Sequence, residues 1–320
     1  MRYTEKVVEL AAIDAGDDTY RITTNTRIND LVDSLPNMGL MISPVLLEKN
    51  SQYTIVCGFR RVAACRYLQW PDIRARILES ETTPLECAKF AITDNAFQRT
   101  LNLIEKSRSY SILSRFYPDT KSLAQAASSL GLNDSISAIE KVKQICRFSG
   151  SIQNGVLSGT ISLTIALELG HLDPETGNGF ADFFSDLRLS LNKQKEILIR
   201  VKEISLRENI SIPDVFKNSD FQAILHNENI DRTQKTRQIR SYLRQRRMPE
   251  ITRAEKAFQK HLKKLKLGKD TSLIPPNNFE GTEYSLKLNF NNLNDLKSRR
   301  ETLDKIIRNP SLKKILSRTE

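Results

Sequence analysis

The chain has 320 residues, and its 49 lysines and arginines against 38 aspartates and glutamates leave a net charge of +11, which favours a polyanionic partner such as nucleic acid. A hydrophobic content of 39% with only 7% aromatics calls for an aliphatic core, spread over several modules at this length. No apolar run of about 18 residues occurs, which excludes a membrane-spanning helix, and the four cysteines form no C-x-x-C pair, which removes support for a zinc ribbon or thioredoxin-type site.

Met1 to Glu9 alternates charged and apolar residues and has no signal-peptide core. Ile28 to Leu35 has the spacing of a short helix, with Asn25 or Thr26 as N-cap. Pro44 to Leu47 and Tyr53 to Cys57 are predicted strands joined by the polar turn Lys49 to Gln52. Arg60 to Leu68 is predicted helical, Ile73 to Leu78 a third strand, and Leu85 to Asn95 a helix with Pro84 in its first turn. Beyond Leu101 the strand signal nearly vanishes. Helices are expected over Ile104 to Phe116, on either side of Gly131, and as a pair between Ser151 and Leu169. Gly170 to Gly179 reads as a loop because Pro174 and the glycines are breakers, and Phe180 to Asn209 as one long helical stretch. A small helical unit opens at Ile212, and Arg232 to Lys269 is a basic, helical stretch that offers a candidate phosphate-binding surface. Leu273 to Thr282 reads as a linker, Tyr284 to Phe290 as a half-buried strand and Leu293 to Ile307 as an amphipathic helix. The class is α+β: a small mixed α/β N-domain over 1–100, an all-α helix-turn-helix domain over 101–178, a basic helical region over 179–272 and a small β-α unit over 273–320.

Three constellations bear on function. In the first, Leu123, Ala126, Ala127 and Leu130 face inward, Gly131 makes the turn, Leu132 plugs the core, and Asn133-Asp134-Ser135 opens a second helix. Ile136, Ile139, Val142 and Ile145 are expected to bury one side of that helix. Gln125, Ser135, Ser137, Lys141 and Lys143 are left outside as candidate DNA contacts, because short polar and basic side chains near a helix N-terminus suit the major groove. An ordinary pair of packed helices with a glycine corner would give the same local pattern. The second is Gly58-Phe59-Arg60-Arg61 between a strand and a helix, where backbone amides, the helix dipole and two guanidiniums favour a phosphate; a solvated basic turn is its bland counterpart. The third is Thr93 to Arg99, which brings one carboxylate, two amides and a guanidinium within two helical turns, a set able to hold a nucleotide phosphate with its Mg²⁺. Without further context it would be only a polar helix end. His171, His226 and His261 are too far apart to suggest a metal site, and Cys57, Cys65, Cys87 and Cys146 sit in apolar stretches as small core residues of a reduced, intracellular protein.

The order of these pieces resembles the ParB family of DNA-partition proteins. Tyr53 to Arg61 is similar to the family's strand and G-E-R-R box, Asp94-Asn95-Ala96-Phe97-Gln98-Arg99-Thr100-Leu101-Asn102-Leu103-Ile104-Glu105 to its E-N-x-Q-R-x-x-L-x-x-I-E run, and Gly155 to Ser162 to the segment after the helix-turn-helix. The resemblance covers residues 25 to 172. It implies a ParB/sulfiredoxin-type N-domain that binds CTP with Mg²⁺, and a homodimeric clamp on double-stranded DNA at a palindromic site. It also implies a cytoplasmic location on nucleoid or plasmid and a Walker-type partition ATPase as partner. Carried across, Gly58, Arg60 and Arg61 hold the triphosphate, Asn95, Gln98 and Arg99 complete the pocket with Asn95 near the metal, and Asp94 stands where a catalytic glutamate is found. Phe59 replaces the acidic residue of the first box and Asp94 is one methylene shorter than glutamate, which puts hydrolysis in question. Gly39 to Pro44 is also one residue longer than in the family. Sulfiredoxin activity, on the same fold, needs a cysteine after the glycine, where this chain has Phe59. A ParB-fold transcription regulator without nucleotide dependence and a nuclease or phosphotransferase on the same N-domain are the competing readings. The last strand and helix, Tyr284 to Leu316, are too small to be stable alone, so pairing with a second copy is expected to cover them.

Overall fold

The computed structural model describes residues 2–317; Met1 and residues 318–320, the outer limits of the first and last expected modules, lie outside the described residues. The chain is α+β, as expected, and divides into two compact units, residues up to 195 and from 196 on.

The first unit contains a five-stranded sheet in the order β1-β5-β3-β4-β2. Its centre is the part that the β-branched runs foretold: β3 (Val45–Lys49), β4 (Gln52–Cys57) and β5 (Asp72–Leu78). β3 and β4 form an antiparallel hairpin whose turn residues, Asn50 and Ser51, have φ of 52° and 63°, the left-handed pair that a two-residue turn demands. β3 lies parallel to β5. Two strands were not expected. β1 (Tyr3–Glu9) runs antiparallel to β5 from Tyr3 opposite Leu78 to Glu9 opposite Asp72, and β2 (Ile13–Asp14) pairs parallel with β4. β1 buries only Val8, so the alternation of charged and apolar residues there marks no buried face that would announce a strand.

One face of the sheet packs Leu46, Ile55, Ile73 and Ile77 against Leu35 of α1 (Asn29–Met38) and Val62, Ala64 and Cys65 of α2 (Phe59–Tyr67). α1 corrects the expectation for its start. Neither Asn25 nor Thr26 caps it; the N-cap is Ile28, and Asn25 instead accepts the Arg27 amide at 3.0 Å in a turn before the helix. α3 (Pro84–Ala96) begins as predicted, with Pro84 in the first turn and a capping box between Thr83 and Glu86.

The rest of the unit is helical: α4 (Leu103–Leu113), α5 (Thr120–Ser128), α6 (Ile136–Val142), α7 (Gly150–Leu157), α8 (Leu163–Gly170) and α9 (Pro174–Leu187). The expected loop over Gly170 to Gly179 is mostly helix. Asp173 caps α9 by accepting the Thr176 amide, Pro174 occupies the first turn, where its missing N–H costs nothing, and Gly177 lets the helix lie against the Leu169 carbonyl. The stretch from Phe180 to Asn209 is likewise two helices, because Arg188 adopts φ 47° and breaks α9 from α10 (Leu191–Glu208).

The second unit comprises the remainder of α10 with α11 (Ile212–Lys217), α12 (Ser219–Leu225), α13 (Arg232–Arg247) and α14 (Pro249–Leu265), then β6 (Thr271–Ile274), β7 (Ser285–Leu288), α15 (Leu293–Arg308) and α16 (Pro310–Leu316). The expected linker from Leu273 is shorter, since Leu273 and Ile274 belong to β6, which pairs antiparallel with β7. The hairpin is covered from within the chain: Phe258 and Leu265 of α14 pack with Leu273 and with Ile315 of α16, and the Phe258 and Tyr284 rings stack at 6.3 Å. On α15, Ile306 is buried, while Leu293, Leu296 and Ile307 stay exposed at 65%, 41% and 60%.

Candidate functional site

The turn between β4 and α2 requires glycine. Gly58 has φ +95°, and a Cβ there would lie 2.9 Å from Pro44 Cβ and 3.0 Å from Pro44 Cα. From this turn and the end of α3, a cleft of about 440 Å³ opens. Gly58, Arg60 and Arg61 line it from one side and Asp94, Asn95, Gln98 and Arg99 from the other, so the two sequence boxes face one space. Residues 38–42 complete its wall.

The cations differ in how they are occupied. Arg61 donates to the carbonyls of Ile42 at 2.8 Å and Ser43 at 3.1 Å, which pins the 38–43 loop. Burial pushes its pKa down, and the Asp94 carboxylate works against that. Arg60 donates from Nε to the Arg27 carbonyl at 2.6 Å and from Nη2 to both Asp30 oxygens at 2.5 and 2.7 Å. The hydrogen bond from Arg60 holds the Asp30 carboxyl below the usual carboxylate range. Arg99 forks onto Glu105 at 2.5 and 2.8 Å and reaches Asn95 Oδ1 at 3.4 Å.

The remaining residues set the polarity of the floor. Gln98 donates to Asp94 Oδ1 at 3.0 Å, and the Asn95 amide donates to the Ala91 carbonyl one turn back, at 2.9 Å. Burial pushes the Cys57 thiol up, and the facing Asp94 carboxylate adds to the shift, so Cys57 is a neutral thiol and no nucleophile. Phe59 packs on the sheet core and carries the Arg21 guanidinium 5.5 Å above its ring. Among the described residues no group of three or more His, Cys, Asp or Glu gathers to hold a metal. Asp94 and Asn95 both line the cleft, and two such oxygen donors suit Mg²⁺ only when phosphate oxygens supply the other ligands.

Sequence reasoning gave Glu105 no role, yet it is only 1% exposed and accepts from five donors. Besides the two bonds from Arg99 these are the Thr24 amide at 3.0 Å, the Thr24 hydroxyl at 3.2 Å and the Asn102 amide at 3.1 Å. The signal was present as the capping box Asn102-x-x-Glu105 at the start of α4.

The second candidate surface is α5 and α6. Gly131 has φ +86°, Leu132 returns its amide to the Ala127 carbonyl at 3.0 Å, and Leu123, Ala127, Leu132, Ile139 and Val142 are buried. The turn rests on the second box: a Cβ on Gly131 would lie 3.6 Å from Ala96 Cβ and 3.8 Å from the Phe97 ring. Asp134, in the longer part of the turn, is gripped by Lys106 Nζ at 2.9 and 3.0 Å and by the Tyr110 hydroxyl at 2.6 Å. Gln125, Ser137 and Lys141 are exposed. The Ser135 side chain caps α6 by accepting the Ala138 amide at 3.3 Å, and Lys143 stands at the C-cap, beyond the helix proper. Ile136, expected inside, is 45% exposed, because α6 starts only there and its first turn projects from the core.

The basic stretch is less free than its sequence suggests. Arg240 pairs with Glu196 at 2.7 Å, Arg246 with Glu208 at 2.6 Å, Arg247 with Glu203, and Arg244 with Glu255 at 2.5 Å. α13 is therefore largely an ion-pair ladder, and the bare lysines lie on α14 and α16.

Residues 4–96 match the family described as the ParB N-terminal domain. The chain is 23% identical over 195 residues to a probable chromosome-partitioning protein ParB of Helicobacter pylori, covering 60% of this chain and 65% of that one. It is 24% identical over 225 residues to the corresponding Campylobacter jejuni protein, covering 65% and 78%. It is 26% identical over 165 residues to a nucleoid occlusion protein of Oceanobacillus iheyensis, covering 50% and 55%. The chain thus spans just under two thirds of the first relative's length and about half of the last one's. C-terminally truncated ParB of Caulobacter crescentus superposes at TM-scores of 0.27 with CTP-gamma-S and 0.32 with the centromeric parS site. Identities are 17% and 18%, covering 57% and 59% of this chain and 98% and 96% of those, and such superpositions are too loose to bear on function. Residues 4–96 thus carry a ParB N-terminal domain, and the chain is similar over more than half its length to chromosome-partitioning ParB proteins.

Proposed function

We propose that this protein is a DNA-partition factor that binds a specific duplex site as a homodimer, with CTP and Mg²⁺ held in the cleft beside Gly58. The observation that carries this reading is the convergence of Gly58, Arg60 and Arg61 with Asp94, Asn95, Gln98 and Arg99 on one cleft of about 440 Å³. The Gly58 turn brings the N-terminus of α2 to the phosphates, and Arg60, Arg61 and Arg99 supply the countercharge. Asn95, with Asp94 beside it, would hold Mg²⁺ together with phosphate oxygens. Mg²⁺ held there would neutralise phosphate charge, and any proton transfer would fall to the chain's own groups. Phe59 has no acid–base capacity and Asp94 is engaged by Gln98, so the cleft binds its nucleotide and hydrolyses it slowly or not at all. One observation favours a regulator without nucleotide dependence: Arg60 and Arg99 already have carboxylate partners in Asp30 and Glu105.

DNA reading is assigned to Ser137 and Lys141 on α6 with Gln125 on α5, Ile136 being free to meet a thymine methyl. Ser135 and Lys143 serve the backbone, at the cap and just past the helix. The open α15 stripe of Leu293, Leu296 and Ile307 is the surface for a second copy. The partition ATPase partner and the place on nucleoid or plasmid follow from the family alone. Selection of bound duplexes from a random pool tests the reader. The full chain should enrich one motif, and Ser137→Ala with Lys141→Ala should weaken that motif's binding by at least about tenfold, while binding to unselected DNA changes little. Unchanged specificity in the double variant removes α6 as the reader.

A further inference from the structure

A second cleft, of about 550 Å³, lies between residues 16–26 and α4 and shares only Thr23 with the first. The extended segment between them alternates: Tyr20 and Ile22 line the first cleft, Thr19 and Arg21 the second. From α4 come Arg108, Ser111 and Ile112, and Arg115 follows two residues past the end of the helix.

Three guanidiniums border this space, against the two carboxylates of Asp17 and Asp18. Arg108 is partly buried and its Nη1 donates only to carbonyls, Thr23 at 2.7 Å and Ile22 at 3.4 Å. Burial, and then the neighbouring Arg21, lower its pKa. Arg115 is exposed and bonds no carboxylate among the described residues. Arg21 pairs with the exposed Asp18 at 3.0 Å, and its guanidinium lies over the Phe59 ring, which carries no charge. The Asp17 carboxylate already has partners, accepting the Thr19 amide at 2.9 Å and the Thr54 hydroxyl of β4 at 3.0 Å. Clustered, partly desolvated cations are costly unless an anion joins them, and guanidinium forks match phosphate oxygens.

We propose that this cleft binds a phosphate group through Arg21, Arg108 and Arg115, with the Thr19 and Ser111 hydroxyls donating to it, independently of the nucleotide cleft. The same chemistry is offered by a free oligophosphate and by the backbone of bound DNA. The probes are inorganic pyrophosphate and a random-sequence duplex, each titrated into the full chain and into Arg115→Gln, an exposed change that leaves the melting temperature in place. For a free ligand, pyrophosphate should shift the Thr19 and Ser111 amide resonances, and Arg115→Gln should weaken its binding about tenfold. For a DNA phosphate, pyrophosphate should leave those resonances still, and the variant's salt dependence of duplex binding should be shallower by about one. Pyrophosphate shifts confined to Gly58 and Asn95, together with an unchanged salt slope, would overturn the proposal.

Discussion

Glu105→Gln is expected to lower the unfolding free energy near neutral pH by about 3 kcal/mol, one of the two largest single-residue effects foreseen in this chain. The carboxylate is almost wholly buried and carries the Arg99 fork, the Thr24 amide and hydroxyl, and the Asn102 amide. Glutamine keeps the shape but removes the charge, so Arg99 loses its partner and one amide hydrogen pair must face existing donors. Burial raises the Glu105 pKa, but the Arg99 guanidinium and the two amides outweigh it, and the folded value lies below the ordinary 4.5. A carboxylate depressed in this way contributes stability that is complete above its unfolded pKa and is lost as pH falls through its folded pKa. The gap between wild type and variant should thus be full above about pH 4.5 and narrow below it. Urea unfolding at several pH values measures this directly. Equal stabilities at neutral pH would show that the Glu105 cluster contributes nothing. Because Glu105 also fixes the Thr24 loop and the start of α4, whose Lys106 and Tyr110 hold Asp134, the same variant should loosen both the cleft and the turn before α6.

Gly58→Ala is the second large effect. Alanine must adopt a left-handed φ of +95° and push a methyl against both Cα and Cβ of Pro44. The conformational part costs about 1–2 kcal/mol and the overpacking about 1–3 kcal/mol. Pro44 cannot retreat freely, since Ser43 and Ile42 before it accept Arg61. The turn, the loop and Arg61 should therefore shift together, and nucleotide affinity should fall along with stability. Gly150→Ala is the contrast, in a helix with open space around it, and should leave both unchanged. Calorimetric stability and ligand titration on the two variants separate the outcomes. A Gly58→Ala protein as stable and as competent as Gly150→Ala would show that the turn is not under this constraint.

How much was legible in the sequence depended on where each partner lay. β3, β4 and β5 could be read because β-branched residues cluster in them, whereas β1 buries one residue and looks like charged coil. α9 was hidden by Pro174, Gly177 and Gly179, breakers in general, which here start a helix and let it lie close to Leu169. Both halves of the cleft were visible as local motifs, since each is a contiguous run. Their ion pairing was not: Asp30 meets Arg60 from 30 positions away. Glu196 and Glu208 meet Arg240 and Arg246 across 44 and 38 positions, and no local pattern records such pairings. Phe59 was legible as a departure, but its use as a seat for Arg21 depends on a loop that has no periodic signature.

Isothermal titration of the full chain with CTP in Mg²⁺ tests the account most directly. A saturable heat with about one site per chain is expected, lost in Arg60→Ala, whose half-buried side chain bonds, among the described residues, Asp30 and the Arg27 carbonyl. An absence of heat in the wild type, or undiminished binding in Arg60→Ala, would contradict the assignment of the cleft.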